Sequence, residues 1–372
     1  MKPAVRISGS GTCAVTIEGL TADQASILRD LIRALDGGIS ISLRDASGGR
    51  EALLTCTRER ARQISEVLSS NPHVTPSLAK RIKTVVDNFL RADFLVDCGG
   101  KQLDLGLRTH IMGILNVTPD SFSDGGRHAG RDRALFHARA MAAAGADIID
   151  IGGESTRPGA EPVTEAEELD RIIPIIEQLS EVLTIPISVD TYKASVADQA
   201  LEAGASIVND ISGLRFSPDM ATVVAAHGAA VVIMHIQGTP RNMQQDPRYD
   251  DVVDDVRAYL EEGIELAVRA GVDQEQVLVD PGIGFGKNLD HNLTLLRRLD
   301  ELKALGRPIV LGTSRKKFIG TVLGIPEPDQ RVEGTAATVA LGIRNGARIV
   351  RVHDVARMTL VARMTDAMLR RT

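Results

Sequence analysis

The chain has 372 residues, enough for two domains or for one large α/β barrel with an appendage. Its composition, 43% hydrophobic and 25% charged, is that of an ordinary globular protein and excludes the disordered and fibrous classes. A net charge of −6, no Trp and only three Tyr argue against a nucleic-acid partner and favour a small-molecule partner.

The first residues carry no sign of export. The start, MKPAVRISGSGTCAV, lacks the continuous apolar stretch of a secretion signal, and no run approaches the roughly 18 apolar residues of a membrane helix. We therefore expect a cytoplasmic protein with no membrane partner. Cys13, Cys56 and Cys98 show no CxxC spacing and are odd in number, so we expect buried or half-buried thiols rather than a disulfide framework or a zinc site.

Residues 1–95 predict a small α/β extension with no recognisable chemistry. Apolar residues at helical spacing alternate there with short apolar runs. The predicted helices are at residues 21–35, 57–68 and 76–90, and the predicted strands are at residues 39–45 and 51–56. The next stretch, FLVDCGGKQLDLG at 94–106, predicts a hairpin with Gly99 and Gly100 at its tip, placed to close the N-terminal end of a barrel.

A repeating pattern of strand and helix starts near residue 110. Several helix-like segments end at a glycine, where a left-handed residue would stop the helix, and a short β-branched strand follows each. These glycines are Gly145, Gly204, Gly228 and Gly346, and further apolar strands are predicted at 110–116, 186–190, 276–280 and 308–314. The resulting eight strand–helix units predict a closed (β/α)8 TIM barrel over residues 96–372. An open, doubly wound sheet with one miscounted strand is the alternative.

Polar residues follow the predicted strands, and in a barrel the C-terminal ends of all strands meet at one mouth. Among them, Asp210 and Thr313 are explained as helix caps. Asp190, Asn209 and Asp280 would instead bring three acceptors together, which is costly unless a donor-rich ligand satisfies them. A planar heterocycle with an exocyclic amine and ring N–H groups would do so. The full set is Asn116, Glu154, Asp190, Asn209, Asp210, His235, Asp280, Thr313, Ser314, Arg351 and His353.

Basic residues cluster on the last strand and after the seventh. Arg351 and His353 are two positions apart and share a face. With Asn116 on the neighbouring first strand, they predict a corner for an anion such as phosphate. An ion pair between Arg351 and an internal aspartate is the alternative. Arg315 and Lys316, at the start of a helix, predict a second place for a carboxylate or a phosphate.

Two long loops, 118–131 and 154–164, are rich in turn-forming residues and predict mobile lids over the mouth. Phe122 would give the first lid an apolar surface to close on a substrate. The stretch GIGFGK at 282–287 fits neither a P-loop nor a dinucleotide fingerprint, so it is interpreted as a glycine-rich turn. Polar and turn residues that the lids carry beyond the rim are Asp120, Asp124, Arg157 and Pro158.

Eight motifs, in this order along the chain, closely resemble those of the dihydropteroate synthases of folate biosynthesis. The resemblance runs from about residue 96 to the C-terminus, and its first two motifs are highly specific. The motifs are MGILNVTPDSFSDGG (112–126), DIGGESTRPGA (150–160), SVDT (188–191), VNDISG (208–213), MHIQGTPRNMQ (234–244), DPGIGFGK (280–287), TSRKKFIG (313–320) and RVHD (351–354).

The resemblance implies a (β/α)8 barrel, a Mg²⁺ cofactor and a homodimer formed through barrel helices. It also implies a role for each matching residue. The pterin ring would be held by Asp190, Asn209, Asp280 and Lys316. The diphosphate would be bound by Asn116, Arg351 and His353, with Asn116 as the ligand of Mg²⁺. Para-aminobenzoate would be bound under the lids by Phe122, Asp124, Thr156, Arg157, Pro158, Phe285 and Lys317. The catalytic residues would be Asn116, Lys316, Arg351 and His353.

The implied reaction joins the amine of para-aminobenzoate to the methylene of 6-hydroxymethyl-7,8-dihydropterin diphosphate and releases diphosphate. An aniline nitrogen is uncharged at neutral pH and needs no strong base, so the harder step is expulsion of diphosphate. The electron-rich ring can support positive charge on the methylene, which favours an SN1-like path. One position departs from the family pattern, because Lys317 stands where many members have Ser.

Two other functions fit parts of the sequence. A methyltetrahydrofolate-dependent methyltransferase would share a pterin-binding barrel but would need a corrinoid partner and no diphosphate corner. A non-catalytic pterin-binding or scaffold protein could use residues 1–95 as a partner surface. The basic residues Lys316, Arg351 and His353 argue against the first, and the lids together with these anion-binding residues argue against the second.

Overall fold

The computed structural model describes residues 4–9, 12–35, 38–46, 49–117, 126–155 and 161–369, with only the backbone described for 126–129. The chain divides into two compact units. One consists of Met1–Ala92 with Arg298–Gly306, and the other of Asp93–Arg297 with Arg307–Thr372. A short segment from within the barrel sequence therefore belongs to the N-terminal unit.

The N-terminal unit contains an antiparallel sheet in the order β1-β2-β4-β3 and three helices. The strands are β1 (Ala4–Ser8), β2 (Thr12–Leu20), β3 (Ser40–Ala46) and β4 (Gly49–Thr57), and the helices are α1 (Ala22–Ala34), α2 (Arg58–Ser70) and α3 (Pro76–Leu90). The Thr21 side chain starts α1 by accepting from the Gln24 amide, and the Gln24 side chain accepts from the Thr21 amide in return. The 3-10 segment Leu299–Leu305 packs on α3 and β1.

The three predicted helices and two predicted strands of this unit are confirmed, but β1 and β2 were not predicted. Their signal is an alternation of buried apolar residues, Val5 and Ile7 on β1 and Cys13, Val15 and Ile17 on β2. Each run is short and contains polar residues, so the alternation is a weak signal for a strand as long as the partner strand is not known. The pairing itself, with Val5 opposite Ile17 and Ile7 opposite Val15, completes the core.

The second unit contains a closed barrel of eight parallel strands, as predicted. Because helices cover the outside and side chains fill the inside, most strand residues are buried on both faces. The strands are β7 (His110–Asn116), β8 (Ile148–Gly152), β9 (Ile187–Asp190), β10 (Ile207–Asp210), β11 (Ala230–Met234), β12 (Val277–Asp280), β13 (Ile309–Leu311) and β14 (Ala347–Val352). The register closes where β14 pairs with β7, with Arg351 opposite Met112.

Helices follow the barrel strands and form its outer layer. They are α4 (Gly126–Ala143), α5 (Glu165–Ser180), α6 (Ala194–Glu202), α7 (Met220–Ala226), α8 (Val252–Arg269), α9 (Leu289–Arg297), α10 (Lys317–Leu323), α11 (Val332–Arg344) and α12 (Val355–Leu369). None of the helices within the described part of the chain is long and apolar enough to cross a membrane. The three cysteines are buried free thiols.

The predicted hairpin at 94–106 closes one end of the barrel. It consists of β5 (Leu95–Cys98) and β6 (Lys101–Asp104), and its tip needs glycine because Gly99 and Gly100 have φ angles of 62° and 84°. Its apolar residues form one buried cluster with side chains inside the barrel. The cluster comprises Phe94, Val96, Cys98, Leu103, Leu105, Met112, Ile148, Ile207, Ala230, Val232, Leu278, Val310 and Ile349.

Candidate active site

A partly buried guanidinium joins two carboxylates at the mouth of the barrel. Arg351 Nε donates to Asp150 Oδ2 at 2.6 Å, and Arg351 Nη2 donates to Asp190 Oδ2, also at 2.6 Å. Asn209 joins the same centre, because its Nδ2 donates to Asp150 Oδ2 at 3.2 Å. Side chains of four strands, β8, β9, β10 and β14, therefore meet at this centre.

Asp150 was missed by the sequence analysis, although a signal for it exists. It lies in the middle of β8, in the run Ile148–Gly152, and its side chain is fully buried. A carboxylate inside an apolar strand is costly unless it is paired or hydrogen-bonded, so its position alone indicated a partner within the barrel. Asp150 lies inside β8 and not at its end, so a search of strand ends alone does not find it.

Burial and charge shift the protonation of this centre. Burial raises the pKa of Asp190 to about 7, while Arg351 opposes that rise and the negative charge of Asp150 adds to it. Burial alone would lower the pKa of Arg351, but the two carboxylates hold it above its ordinary value. The Oδ1 atoms of Asp150 and Asp190 are buried and accept no hydrogen bond from any described residue. Both atoms can therefore accept from a ligand that brings N–H donors.

Asp280 and Lys316 meet beside this centre, in front of Gly312. A Cβ atom placed on Gly312 would lie 3.8 Å from Asp280 Oδ2 and 3.8 Å from Lys316 Nζ, so both polar groups lie next to this glycine. Asp280 Oδ1 is held by the Gly282 amide at 2.7 Å. Burial raises the pKa of Asp280 and lowers that of Lys316 to about 8, and each charge partly offsets the shift of the other.

Lys316 also contacts the glycine-rich turn that follows Asp280. Its Nζ donates to the carbonyl of Ile283 and lies 4.8 Å from the centroid of the Phe285 ring. This distance is within the range of a cation–π contact. Phe285 is partly buried, so part of this residue remains accessible.

Two basic residues predicted to bind anions, His353 and Arg315, have partners within the protein. His353 Nδ1 lies 3.0 Å from Ser314 Oγ, which also accepts from the His353 amide at 3.2 Å. Arg315 forms a two-point ion pair with Asp354, at 3.0 Å from Nε and 2.7 Å from Nη2, and the guanidinium lowers the pKa of Asp354. The Arg315 guanidinium is thus engaged by Asp354, and its predicted anion-binding role stays a prediction. The φ of 60° at Arg315 is unusual for a non-glycine residue.

Other predicted site residues lie at the rim or outside the described residues. Asn116 is the exposed last residue of β7, and Lys317 is the exposed first residue of α10. No group of three or more His, Cys, Asp or Glu that could hold a metal ion is found among the described residues. The predicted lid residues Phe122, Asp124, Thr156, Arg157 and Pro158 lie outside the described residues.

A second buried ion cluster was not predicted from the sequence. Lys193 Nζ donates to Glu154 Oε2 at 2.6 Å, to Glu168 Oε2 at 2.7 Å and to the carbonyl of Val163 at 2.7 Å. Glu154 also accepts from the Tyr192 hydroxyl at 2.7 Å. One ammonium thus holds both described flanks of the loop 154–164.

Comparisons with known proteins agree with this geometry. The pterin-binding enzyme family matches residues 112–353. Dihydropteroate synthase of Bacillus subtilis is 53% identical over 262 residues, which cover 70% of this chain and 89% of the relative. A crystal structure of dihydropteroate synthase from Clostridium difficile, in the presence of pteroic acid, is 53% identical with a TM-score of 0.69 and covers 72% of this chain and 100% of its own.

The chain belongs to the dihydropteroate synthase family. Its reaction is the condensation of para-aminobenzoate with 6-hydroxymethyl-7,8-dihydropterin diphosphate to 7,8-dihydropteroate and diphosphate, in folate biosynthesis. The N-terminal unit is not peculiar to this dihydropteroate synthase. A Halobacterium salinarum protein named "Probable bifunctional folylpolyglutamate synthase/dihydropteroate synthase" is 42% identical over 364 residues, which are 97% of this chain and 44% of that protein.

Proposed function

We propose that this dihydropteroate synthase binds the dihydropterin ring between Asp190, Asn209 and Asp280, with Lys316 against the ring. The observation that carries the proposal is the pair of buried Oδ1 atoms on Asp150 and Asp190, which no described residue satisfies. A buried acceptor without a donor costs about 1–3 kcal/mol, and the amine and ring N–H groups of a pterin would supply donors. Asp150 would orient Asn209 and Arg351 and complete the acceptor set.

The diphosphate would lie on the basic side of the mouth, against Asn116, Arg351 and His353. Support comes from their strands, because β14 pairs with β7 and the carboxyl ends of both face the same mouth. Arg351 already donates to Asp150 and Asp190, so the internal ion pair and the diphosphate role can coexist on one guanidinium. Its remaining nitrogen would face the leaving group.

A Mg²⁺ ion fits the donors at this corner. Magnesium usually binds through one or two protein oxygens, with substrate phosphates and water completing its shell. The amide oxygen of Asn116, exposed at the end of β7, is such a ligand. When bound, the ion would neutralise part of the charge on the diphosphate.

The chain's own residues would act mainly by position and charge. Asp190 and Asp280 would fix the ring so that its methylene points towards the amine, and Arg351 and His353 would stabilise charge on the departing oxygen. The carbon–oxygen bond would break first and release diphosphate; the aniline nitrogen would then form the carbon–nitrogen bond to the methylene and release one proton. An SN1-like path needs water to be excluded until that bond has formed.

Para-aminobenzoate would lie with its ring against Phe285 and its carboxylate towards Lys317. Phe285 is partly buried beside Lys316, and Lys317 is exposed one residue further along. The predicted lid residues Phe122, Asp124, Thr156, Arg157 and Pro158 would close over this substrate. The cation of Lys317 would replace the hydroxyl that many family members carry at this position.

The deciding experiment measures diphosphate release from the dihydropterin substrate by the full chain, with and without para-aminobenzoate and with Mg²⁺ varied. We expect release that depends on Mg²⁺ and is matched one for one by dihydropteroate. Release without para-aminobenzoate would indicate that water captures the methylene. Full activity after removal of Mg²⁺ with a chelator would contradict the proposed cofactor.

A homodimer and a cytoplasmic location stay predictions. Support for the dimer comes from α12, whose residues Leu360, Met364 and Met368 recur every fourth position and are 66%, 61% and 64% exposed. Such a stripe on a helix surface is typical of an interface. Sedimentation of the full chain should show a dimer that Met364→Glu converts to a monomer. A monomeric parent protein would contradict the prediction.

A further inference from the structure

The glycine-rich turn after Asp280, Gly282–Gly286, has one internal hydrogen bond, from the Phe285 amide to the Gly282 carbonyl at 3.0 Å, and is held further by side chains around it. Gly282, Gly284 and Gly286 have φ angles of 66°, 86° and 60°. Glycine adopts this conformation without strain, but it has no side chain whose packing could hold the backbone there. Every carbonyl of the turn nevertheless accepts a hydrogen bond from a side chain. The donors are Lys287 to Gly282 (3.0 Å) and to Phe285 (2.9 Å), Lys316 to Ile283, Gln244 to Gly284 (2.7 Å) and Tyr249 to Gly286 (2.6 Å).

Lys287 makes two of these five bonds and is buried. Only 3% of it is exposed, and the third contact of its Nζ is His235 Nδ1 at 2.8 Å. Burial lowers the pKa of Lys287 well below its usual range, and burial together with the Lys287 amine does the same for His235. A buried amine of this kind costs free energy that a methionine of similar length would not, so simple filling of the core does not explain its presence.

The two carbonyls that Lys287 holds flank the carbonyl that Lys316 uses. One is the carbonyl of Gly282, whose own amide donates to Asp280 Oδ1. The other is the carbonyl of Phe285. A shift of the turn would therefore move the Phe285 ring and the acceptor of Lys316 together. An error of about 1 Å in such a position can cost a factor of about 100 in rate.

We propose that Lys287 is a positioning residue that sets the Phe285 ring and the Lys316 amine by fastening the turn Gly282–Gly286. The proposal rests on the roles proposed above for Phe285 and Lys316. Lys287 itself touches no substrate, because its amine is enclosed by Gly282, Phe285 and His235.

The test uses Lys287→Met in the full chain, with Lys101→Met as the matched control. Lys101 also donates to two backbone carbonyls, those of Leu183 and Ile185, both at 3.1 Å, but it lies on the hairpin at the other end of the barrel. Both variants should lower the melting temperature. Only Lys287→Met should raise the KM for para-aminobenzoate, by about tenfold, as expected when the Phe285 carbonyl loses the Lys287 donor and the Gly282 carbonyl keeps only the Phe285 amide.

A second comparison separates positioning from a general loss of stability. In a Phe285→Ala background, Lys287→Met should no longer raise the KM for para-aminobenzoate, because the ring that it positions is gone. An equal rise in both backgrounds, or an equal rise with Lys101→Met, would overturn the proposal. If Phe285→Ala alone leaves this KM unchanged, the proposed role of Phe285 fails instead.

Tyr249→Phe keeps the test decisive if Lys287→Met does not fold. This substitution removes only the hydroxyl that holds the Gly286 carbonyl and leaves the ring in place. We expect a smaller rise in the same KM, about threefold, that also disappears in the Phe285→Ala background. An unchanged KM in Tyr249→Phe, together with failure of Lys287→Met to fold, would mean that the turn is not set by its carbonyl donors.

Discussion

Arg351 on the last barrel strand and Asp190 on the third are joined by a 2.6 Å hydrogen bond between Nη2 and Oδ2. The same guanidinium donates to Asp150, so two buried carboxylates share one partly buried cation. In the proposed complex, Arg351 would serve the pterin side of the mouth by holding these acceptors and the diphosphate side by direct contact. These two roles can be separated by experiment.

Replacing Arg351 should lower the affinity for the diphosphate ester more than the affinity for a pterin without diphosphate. Arg351→Ala removes the donor that holds Asp150 and Asp190, so affinity for a pterin without diphosphate should also fall. Affinity for the diphosphate ester should fall by about 2–5 kcal/mol more, because a charged hydrogen-bond partner is lost. Calorimetric titration of the same variant with both ligands provides the measurement. An equal loss for the two ligands would contradict the diphosphate contact.

Asp280 and Asp210 offer a matched pair for the pterin site. Both are buried aspartates at strand ends, but Asp210 accepts from the amides of Ser212 and Leu214 at 2.7 and 2.8 Å, so it holds the turn after β10 and does not cap a helix as predicted. Asp280→Asn should cost about 1–3 kcal/mol of pterin affinity, because a group that is half donor replaces an acceptor. Asp210→Asn should lower stability without that loss. Unchanged pterin binding in Asp280→Asn would refute its role.

The sequence was sufficient for the barrel and for most of the mouth, because both depend on local patterns. The predicted strand at 110–116 coincides with β7, and the others differ by a few residues at their ends. The features that could not be predicted depend on contacts between segments that are distant in the sequence. Residues 298–306 belong to the N-terminal unit and Lys193 forms an ion cluster, but neither feature produces a periodic pattern in the sequence. A role for Asp150 becomes evident only when the fold places Arg351 beside it.

Lys316 should introduce an alkaline limb into the pH profile. Burial lowers its pKa to about 8, so its ammonium form predominates below that pH and is lost above it. If the ammonium supports substrate binding, kcat/KM should fall as the pH rises through about 8. Lys316→Arg, whose guanidinium stays charged, should move this limb to higher pH. A limb at the same pH in Lys316→Arg would show that another group is responsible.

The Lys193 cluster should govern stability in a pH-dependent way. Lys193→Met removes the cation between Glu154 and Glu168, and the loss of one partner of a buried ion pair typically costs about 3–5 kcal/mol. Burial already raises the pKa of Glu168 in the intact protein, and Lys193 opposes that rise. Without Lys193 the pKa of Glu168 should rise further.

The sign of this effect follows from linkage between protonation and folding. A carboxyl group whose pKa is higher in the folded than in the unfolded state favours folding at low pH, and this contribution is lost as the pH rises through the folded pKa. Lys193→Met should therefore be more destabilised at pH 8 than at pH 5, measured as the free energy of unfolding in urea. Adding Glu168→Gln should remove most of this pH dependence. If the single variant loses the same free energy at both pH values, Glu168 does not carry the uncompensated charge.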